Sequence, residues 1–179
     1  MKNFFAVILF VLVAFPAWGE DSYWKDRQGH PVPSTEARQS ERGFGGWVLV
    51  TSDADWEAKW NTPAETVPEF KEAKSIPRGK HIFVLTFFAN PQLSNESAAD
   101  IICDINIVKP DGSAAMNQTN AICYKGSVKG NAYSMYLSLP VIDFVGDPDD
   151  PLGKWTVRIS LKDNIRKVTL PLQTSFELR

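Results

Sequence analysis

Read for its apolar positions, the chain is clearest at its end. Trp155, Val157, Ile159 and Leu161 alternate with Lys154, Thr156, Arg158 and Ser160. After a turn at Lys162-Asp163-Asn164 the same period returns at Val168, Leu170, Leu172, Phe176 and Leu178. A period of two belongs to a strand with one buried face, so this stretch predicts a hairpin. Ile101, Cys103, Ile105 and Ile107 alternate with Asp104 and Asn106, and Pro110-Asp111-Gly112 is a tight-turn signature that sends the chain back towards residues 121–125, AICYK. HIFVLTFFAN, residues 81–90, is different: Ile82, Val84 and Phe88 point one way and Phe83, Leu85 and Phe87 the other. A strand apolar on both faces must be covered on both.

The remaining elements are shorter. Residues 47–51, WVLVT, predict a first strand. Ser52, three residues before Asp55, makes an N-capping pattern for a short helix in DADWEAKWN, where Trp56 and Trp60 share one face and pack onto the sheet. Pro63 and Pro68 end it. In YSMYLSLPVIDF, Tyr133, Met135, Leu137 and Leu139 are predicted to share a face until Pro140 ends the alternation or marks an edge strand. About seven short strands with turn signals between them, and one short helix after the first strand, predict a mainly β chain folded as a single antiparallel sandwich. Residues 20–46 are polar and rich in Gly and Pro without apolar period, so they read as a flexible leader to a domain at 47–179. In that leader Tyr23 and Trp24 either dock onto the folded body or wait for a partner.

The chain's first residues read as a secretory signal peptide, residues 1–19: one lysine at position 2, an apolar run from Phe4 to Phe15, and Ala17-Trp18-Gly19 as a small-x-small cleavage site near Gly19. That run falls short of the roughly 20 residues a spanning helix needs, so no stable membrane insertion is expected after cleavage. The short n-region reads as bacterial and the destination as periplasmic or extracellular. The Asn-x-Ser/Thr sequences at Asn95 and Asn117 are, on that reading, ordinary loop residues.

Composition narrows the picture. The chain of 179 residues carries 19 Lys and Arg against 21 Asp and Glu, a net charge of −2, with no long basic run. Nucleic acid is therefore not an expected partner. The chain has two cysteines. An even count in an exported chain predicts a disulfide between Cys103 and Cys123, stapling neighbouring strands.

PLGKWTVRISLKDN, residues 151–164, followed by a strand, resembles the closing hairpin of bacterial immunoglobulin-like modules, in which Gly-x-Trp-x-Val-x-Val leads through an Asp-containing turn. The resemblance covers about 30 residues and implies an immunoglobulin-like β-sandwich; it names no characterised family and carries no function. No tryptophan follows Cys103 at the antibody spacing, so the bridge need not join the two sheets.

Candidate chemistry is sparse. His30 lies in the leader and His81 at a strand start, neither beside a nucleophile elbow, and oxidised cysteines offer no thiolate. No catalytic residue is assigned, no cofactor is expected, and zinc finds no clustered ligands. Asp147, Asp149 and Asp150 in GDPDDPLG are a weak calcium candidate; Asp-Pro pairs make the same stretch an ordinary turn. An enzyme would need carboxylates such as Glu96, Asp100 and Asp104 to converge in a cleft. The expected function is a non-enzymatic protein-interaction module of inhibitor, immunity or envelope-accessory type, using loops or an open edge against an unknown protein of the cell envelope, with Tyr23, Trp24 and Tyr136 as possible partner contacts. The alternative is a small-ligand or carbohydrate-binding sandwich with Trp24 and Tyr136 as stacking platforms.

Overall fold

The computed structural model describes residues 22–26, 28–63, 68–128 and 134–179, so the expected signal peptide and Tyr133 lie outside the described residues. Two sheets face each other. One is built from β1 (Arg38–Glu41), β2 (Phe44–Thr51), β4 (His81–Ala89) and β7 (Met135–Leu137) in that order, with β8 (Ile142–Val145) also on β4. The other runs β3 (Ser75–Ile76), β10 (Val168–Leu178), β9 (Gly153–Asp163), β5 (Ala98–Val108) and β6 (Ala114–Ser127). Every pairing is antiparallel except β3 with β10.

The predicted alternation is what fills the interior. Ile101, Cys103, Ile105 and Ile107 of β5, Trp155 to Leu161 at every second position of β9, and Val168, Leu170, Leu172, Phe176 and Leu178 of β10 are all buried in one core with Ile82, Val84 and Phe88 of β4. The other face of β4 lies under a separate layer. There Leu49, Leu85 and Phe87 are covered by Trp47, Phe70 and the single helix α1 (Trp56–Trp60), with Trp60 at 5.3 Å and Trp47 at 5.2 Å from Phe87 and Trp56 at 6.1 Å from Phe83. A mainly β sandwich with one short helix is therefore the fold.

Four expectations need correction. Among the described residues the strands number ten, not seven, because elements such as β1 (RQSE) and β3 carry too few apolar residues to show a period. The leader also does not extend to residue 46. Arg42 and Gly43, both at positive φ (50° and 80°), form a two-residue turn that joins β1 to β2, the turn geometry that matches the twist of a hairpin. The glycines taken for looseness serve close approach: a β-carbon at Gly46 would lie 2.9 Å from Leu161 and 3.0 Å from Leu170, and one at Gly45 2.8 Å from Tyr23. Ser52 does not cap α1. Asp55 occupies the N-cap without a side-chain hydrogen bond, while Asp53 instead accepts from the Lys71 amide (2.7 Å) and pairs with Lys59 (2.8 Å). Finally, Met135 and Leu139 do not face inward. Pairing Tyr136 opposite Phe88 and Leu137 opposite Phe87 puts Tyr136 on the core side and Leu137 under the helix layer, and Leu139 is left 65% exposed.

One covalent tie holds two strands of a single sheet and one polar cluster ties the two sheets together. Cys103 and Cys123 form a disulfide across neighbouring strands β5 and β6, with Cα atoms 5.8 Å apart. At one end of the sandwich Asp163, wholly buried, accepts the backbone N–H groups of Ile165, Arg166 and Gln92 at 2.8–3.0 Å. Arg166 beside it donates to the carbonyls of Arg42 (2.6 Å) and Asn90 (3.0 Å), so the β9–β10 turn grips the β1–β2 turn and the end of β4. Buried polar groups stabilise only when satisfied in this way.

Two stability measurements follow. Replacing Cys103 and Cys123 together by serine opens a loop with a sequence separation of 20 and should lower unfolding free energy by about 3 kcal/mol in urea titrations. Gly46→Val drives a side chain into Leu161, Leu170 and Leu172 and should cost about 1–3 kcal/mol by the same measurement.

Candidate functional site

The residues with catalytic chemistry are dispersed. His81 Nδ1 lies 2.9 Å from Asp143 Oδ1, but the two side chains are 58% and 51% exposed, on the outside of the sheet where the imidazole stacks along Phe83. His30 meets Asp26 at 3.2 Å on an exposed turn, where the His30 amide above all, with other backbone N–H groups, holds the Asp26 carboxyl below its usual range. Asp100 accepts from Asn164 Nδ2 at 3.0 Å and Asp104 pairs with Lys162 at 2.5 Å, so these carboxylates serve separate partners, and Glu96 sits in the exposed turn before β5.

The aspartates of GDPDDPLG turn out to hold a corner. Asp150 accepts from the Asp147 amide at 3.0 Å and from Lys109 Nζ at 3.3 Å, and its own carbonyl receives Arg78 Nη2. Lys109 also lies over the Trp155 ring at 5.5 Å. Asp147, Asp149 and Asp150 therefore do not form the calcium candidate: among the described residues no group of three or more His, Cys, Asp or Glu could hold a metal ion. Backbone and lysine partners already take the Asp150 oxygens a cation would need.

The aromatic candidates are engaged within the chain. Trp24 is 9% exposed, its indole N–H donates to the Gln39 carbonyl at 2.8 Å, and Arg38 stacks over its ring. Tyr23 packs edge-on against Trp24 and over Gly45. Tyr136 stacks on Phe88 at 5.3 Å and lies 6.2 Å from Tyr124. Burial, and then the proximity of Tyr136 to Tyr23 and of Tyr124 to Tyr136, raises the pKa of both phenols, Tyr23 and Tyr136. The docking alternative for Tyr23 and Trp24 is the one realised, because the N-terminal segment closes over β1 and β2.

What the sequence reading missed is the edge at β6. This strand has 14 residues and, among the described residues, only β5 beside it, and its first seven, Ala114 to Asn120, are all exposed. Register opposite Ile107 and Ile105 turns Met116 and Gln118 towards the side on which Ala121 and Cys123 are buried. Yet Met116 is 37% exposed. The two sheets are tied at this side by the Leu139 amide donating to the Cys123 carbonyl (2.8 Å). Beyond that tie β6 and β8 diverge around a groove of about 370 Å³, lined by Ile107, Met116, Ile142 and Phe144 and rimmed by Asp143 and Asp147. Nothing in AAMNQTN alternates, and that was the signal: an inward face with no cover has no reason to be apolar.

No family model and no curated protein sequence matches the chain. Among solved structures it is similar to a Niemann-Pick type C2 protein from Japanese carpenter ant, at 13% identity over 74% of this chain and 89% of that one, with a TM-score of 0.41. It is also similar to parts of two larger proteins. One is the Pseudomonas fluorescens alkylpurine DNA glycosylase AlkC bound to DNA containing an abasic site analog (16% identity, 59% of this chain, 28% of that chain, TM-score 0.37). The other is a family 123 glycoside hydrolase from Clostridium perfringens (7%, 75%, 27%, TM-score 0.40). Identities and scores this low carry no argument about what the chain binds.

The edge has a measurable acid sensitivity. Lys162, and then the Asn120 amide at 2.9 Å, hold the Asp104 carboxyl below its usual range. A carboxylate depressed in the folded state contributes stability above its unfolded value near 3.9, and that contribution is lost as pH falls through the lower folded value. Stability should therefore drop below about pH 4, and Asp104→Asn should flatten that part of the pH–stability curve measured by urea unfolding.

Proposed function

We propose that this chain is an exported, periplasmic protein-interaction module without catalytic activity, an immunoglobulin-like sandwich of inhibitor, immunity or envelope-accessory type that meets its partner at the open edge of β6. The observation that carries the reading is the run of seven exposed residues, Ala114 to Asn120, on an outermost strand. A sheet edge presents unpaired N–H and C=O groups, and sandwich proteins usually blunt it with lysine, proline or a short strand. None of the residues 114–120 is charged and none is proline; what interrupts the edge is two register shifts, between Gln118 and Ala121, where Asn120 has φ 55°, and between Ala114 and Met116. An edge left in this state is a template for another chain's strand, the main-chain bonds giving affinity and the alternate side chains specificity.

The signal-peptide pattern and the disulfide support export. The alternative of a carbohydrate-binding sandwich has less support, since Trp24 and Tyr136, its two stacking platforms, are spent on Gln39, Arg38 and Phe88.

The test is site-specific photo-crosslinking in periplasmic extract of the source cells. A photoreactive residue at position 118 should give one stoichiometric protein adduct, while the same group at Thr169, exposed on β10, gives none. Met116→Lys with Gln118→Lys, which charges the edge without touching the buried core, should reduce capture by an unmodified neighbouring position, 120, at least tenfold. Equal labelling at 118 and 169, or none at either, removes the reading.

A further inference from the structure

We infer that the occupant of this edge is an extended segment of another protein in which apolar residues alternate with lysine or arginine, added as a further strand along residues 114–120 with one set of side chains lowered into the groove between β6 and β8. The inference rests on the interaction reading above and adds the chemistry of the partner. The geometry begins with two unpaired edges. Among the described residues β8 has β4 on one side only, and β6 has β5 on one side only. They flank the same opening, which the Leu139–Cys123 bond ties across and the Lys109–Asp150 ion pair borders.

An added strand would place successive side chains on opposite faces. Those directed inward meet the apolar lining, Met116, Ile107, Ile142 and Phe144. Such a side chain would cover the inward positions that β6 leaves bare, Met116 and Gln118. At the rim, the three carboxylates of Asp143, Asp147 and Asp150 stand against two cations, Lys109, which Asp150 engages at 3.3 Å, and Arg78, which donates to the Asp150 carbonyl, while Asp143 also has His81 Nδ1 at 2.9 Å. The surplus is negative, so the segment that completes this surface is cationic where it passes β8. Residues 114–120 of a second copy supply no such charge, since AAMNQTN is neutral and the one cation of β6, Lys125, lies beyond them.

The probes are two end-blocked heptapeptides, one alternating valine with lysine and one alternating valine with glutamate, titrated into the full chain by fluorescence anisotropy. The lysine peptide should bind at least tenfold more tightly, weaken as salt rises, and lose at least fivefold in affinity to Asp143→Asn with Asp147→Asn. N-methylation of its alternate amides on one edge should abolish binding, which plain charge attraction would not require. Hydrogen exchange should slow at least tenfold at the amides of residues 114–120 and not on the Trp47–Trp56–Trp60 surface. Equal affinity for the two peptides, unchanged binding by the asparagine variant, protection elsewhere, or a dimer of the chain alone protected at 114–120 overturns the inference. A specific crosslink at position 118 to a protein without a basic strand would leave the interaction reading standing and remove this one.

Discussion

Strand β4 sets the terms for everything around it. Its residues are apolar on both faces, Ile82, Val84 and Phe88 on one and Phe83, Leu85 and Phe87 on the other, so neither face can be left to water. The inner face draws the five-stranded sheet of β3, β10, β9, β5 and β6 onto it. The outer face requires a second cover, which the chain supplies with the segment after β2: a five-residue helix, Phe70 and the ring of Trp47. Because β4 pairs with β2 on one side, its other side must also be completed, and there the chain offers only two short pieces, β7 and β8, broken at Ser138–Val141. That broken border is why the two sheets meet at Leu139 and Cys123 and part below them.

Where burial dictates residue type, the fold was legible. The hairpin of β9 and β10, the double-faced β4, the inward row of β5 and the pairing of Trp56 with Trp60 all follow from which positions must avoid water, and a bridge between Cys103 and Cys123 follows from compartment and count. Elements held by backbone geometry were not legible. β1 has no apolar residue, and its turn uses Arg42-Gly43 in place of the Asn-Gly or Asp-Gly that signals a hairpin. Gly45 and Gly46 read as slack because a missing side chain looks the same whether the backbone is loose or pressed against Tyr23 and the Leu161 layer. Tyr136 was assigned to the surface because Met135 and Leu137 look like the inward pair; three residues give too little alternation to fix a register.

The candidate site was the least legible part, for a related reason. Titratable residues drew attention first, yet His81 and Asp143 meet in the open, and the aspartates of residues 147–150 are bound to Lys109, Arg78 and their own backbone. The surface that remains open is the outer edge of β6. Alanine, asparagine, glutamine and threonine along β6 carry no sequence signal of their own; their meaning comes from having β5 on one side and open space on the other. A recognition surface of this kind appears only once topology is known.

The outer aromatic layer bears on how the molecule moves. Trp47, Trp56, Trp60 and Phe70 touch one another's partners across Phe83 and Phe87, but they share no side chain with the interior, from which β2 and β4 separate them. A helix of five residues has no independent persistence, so its attachment rests on those ring contacts and on Asp53, which pairs with Lys59 and accepts from the Lys71 amide. Trp47 is fixed in β2, so the part of the layer able to open locally while the sandwich stays shut is α1 with Phe70. In that partly opened form Leu85 and Phe87 would meet solvent, and the protein's tendency to self-associate would be governed by this thin cover and not by the strength of the core beneath it.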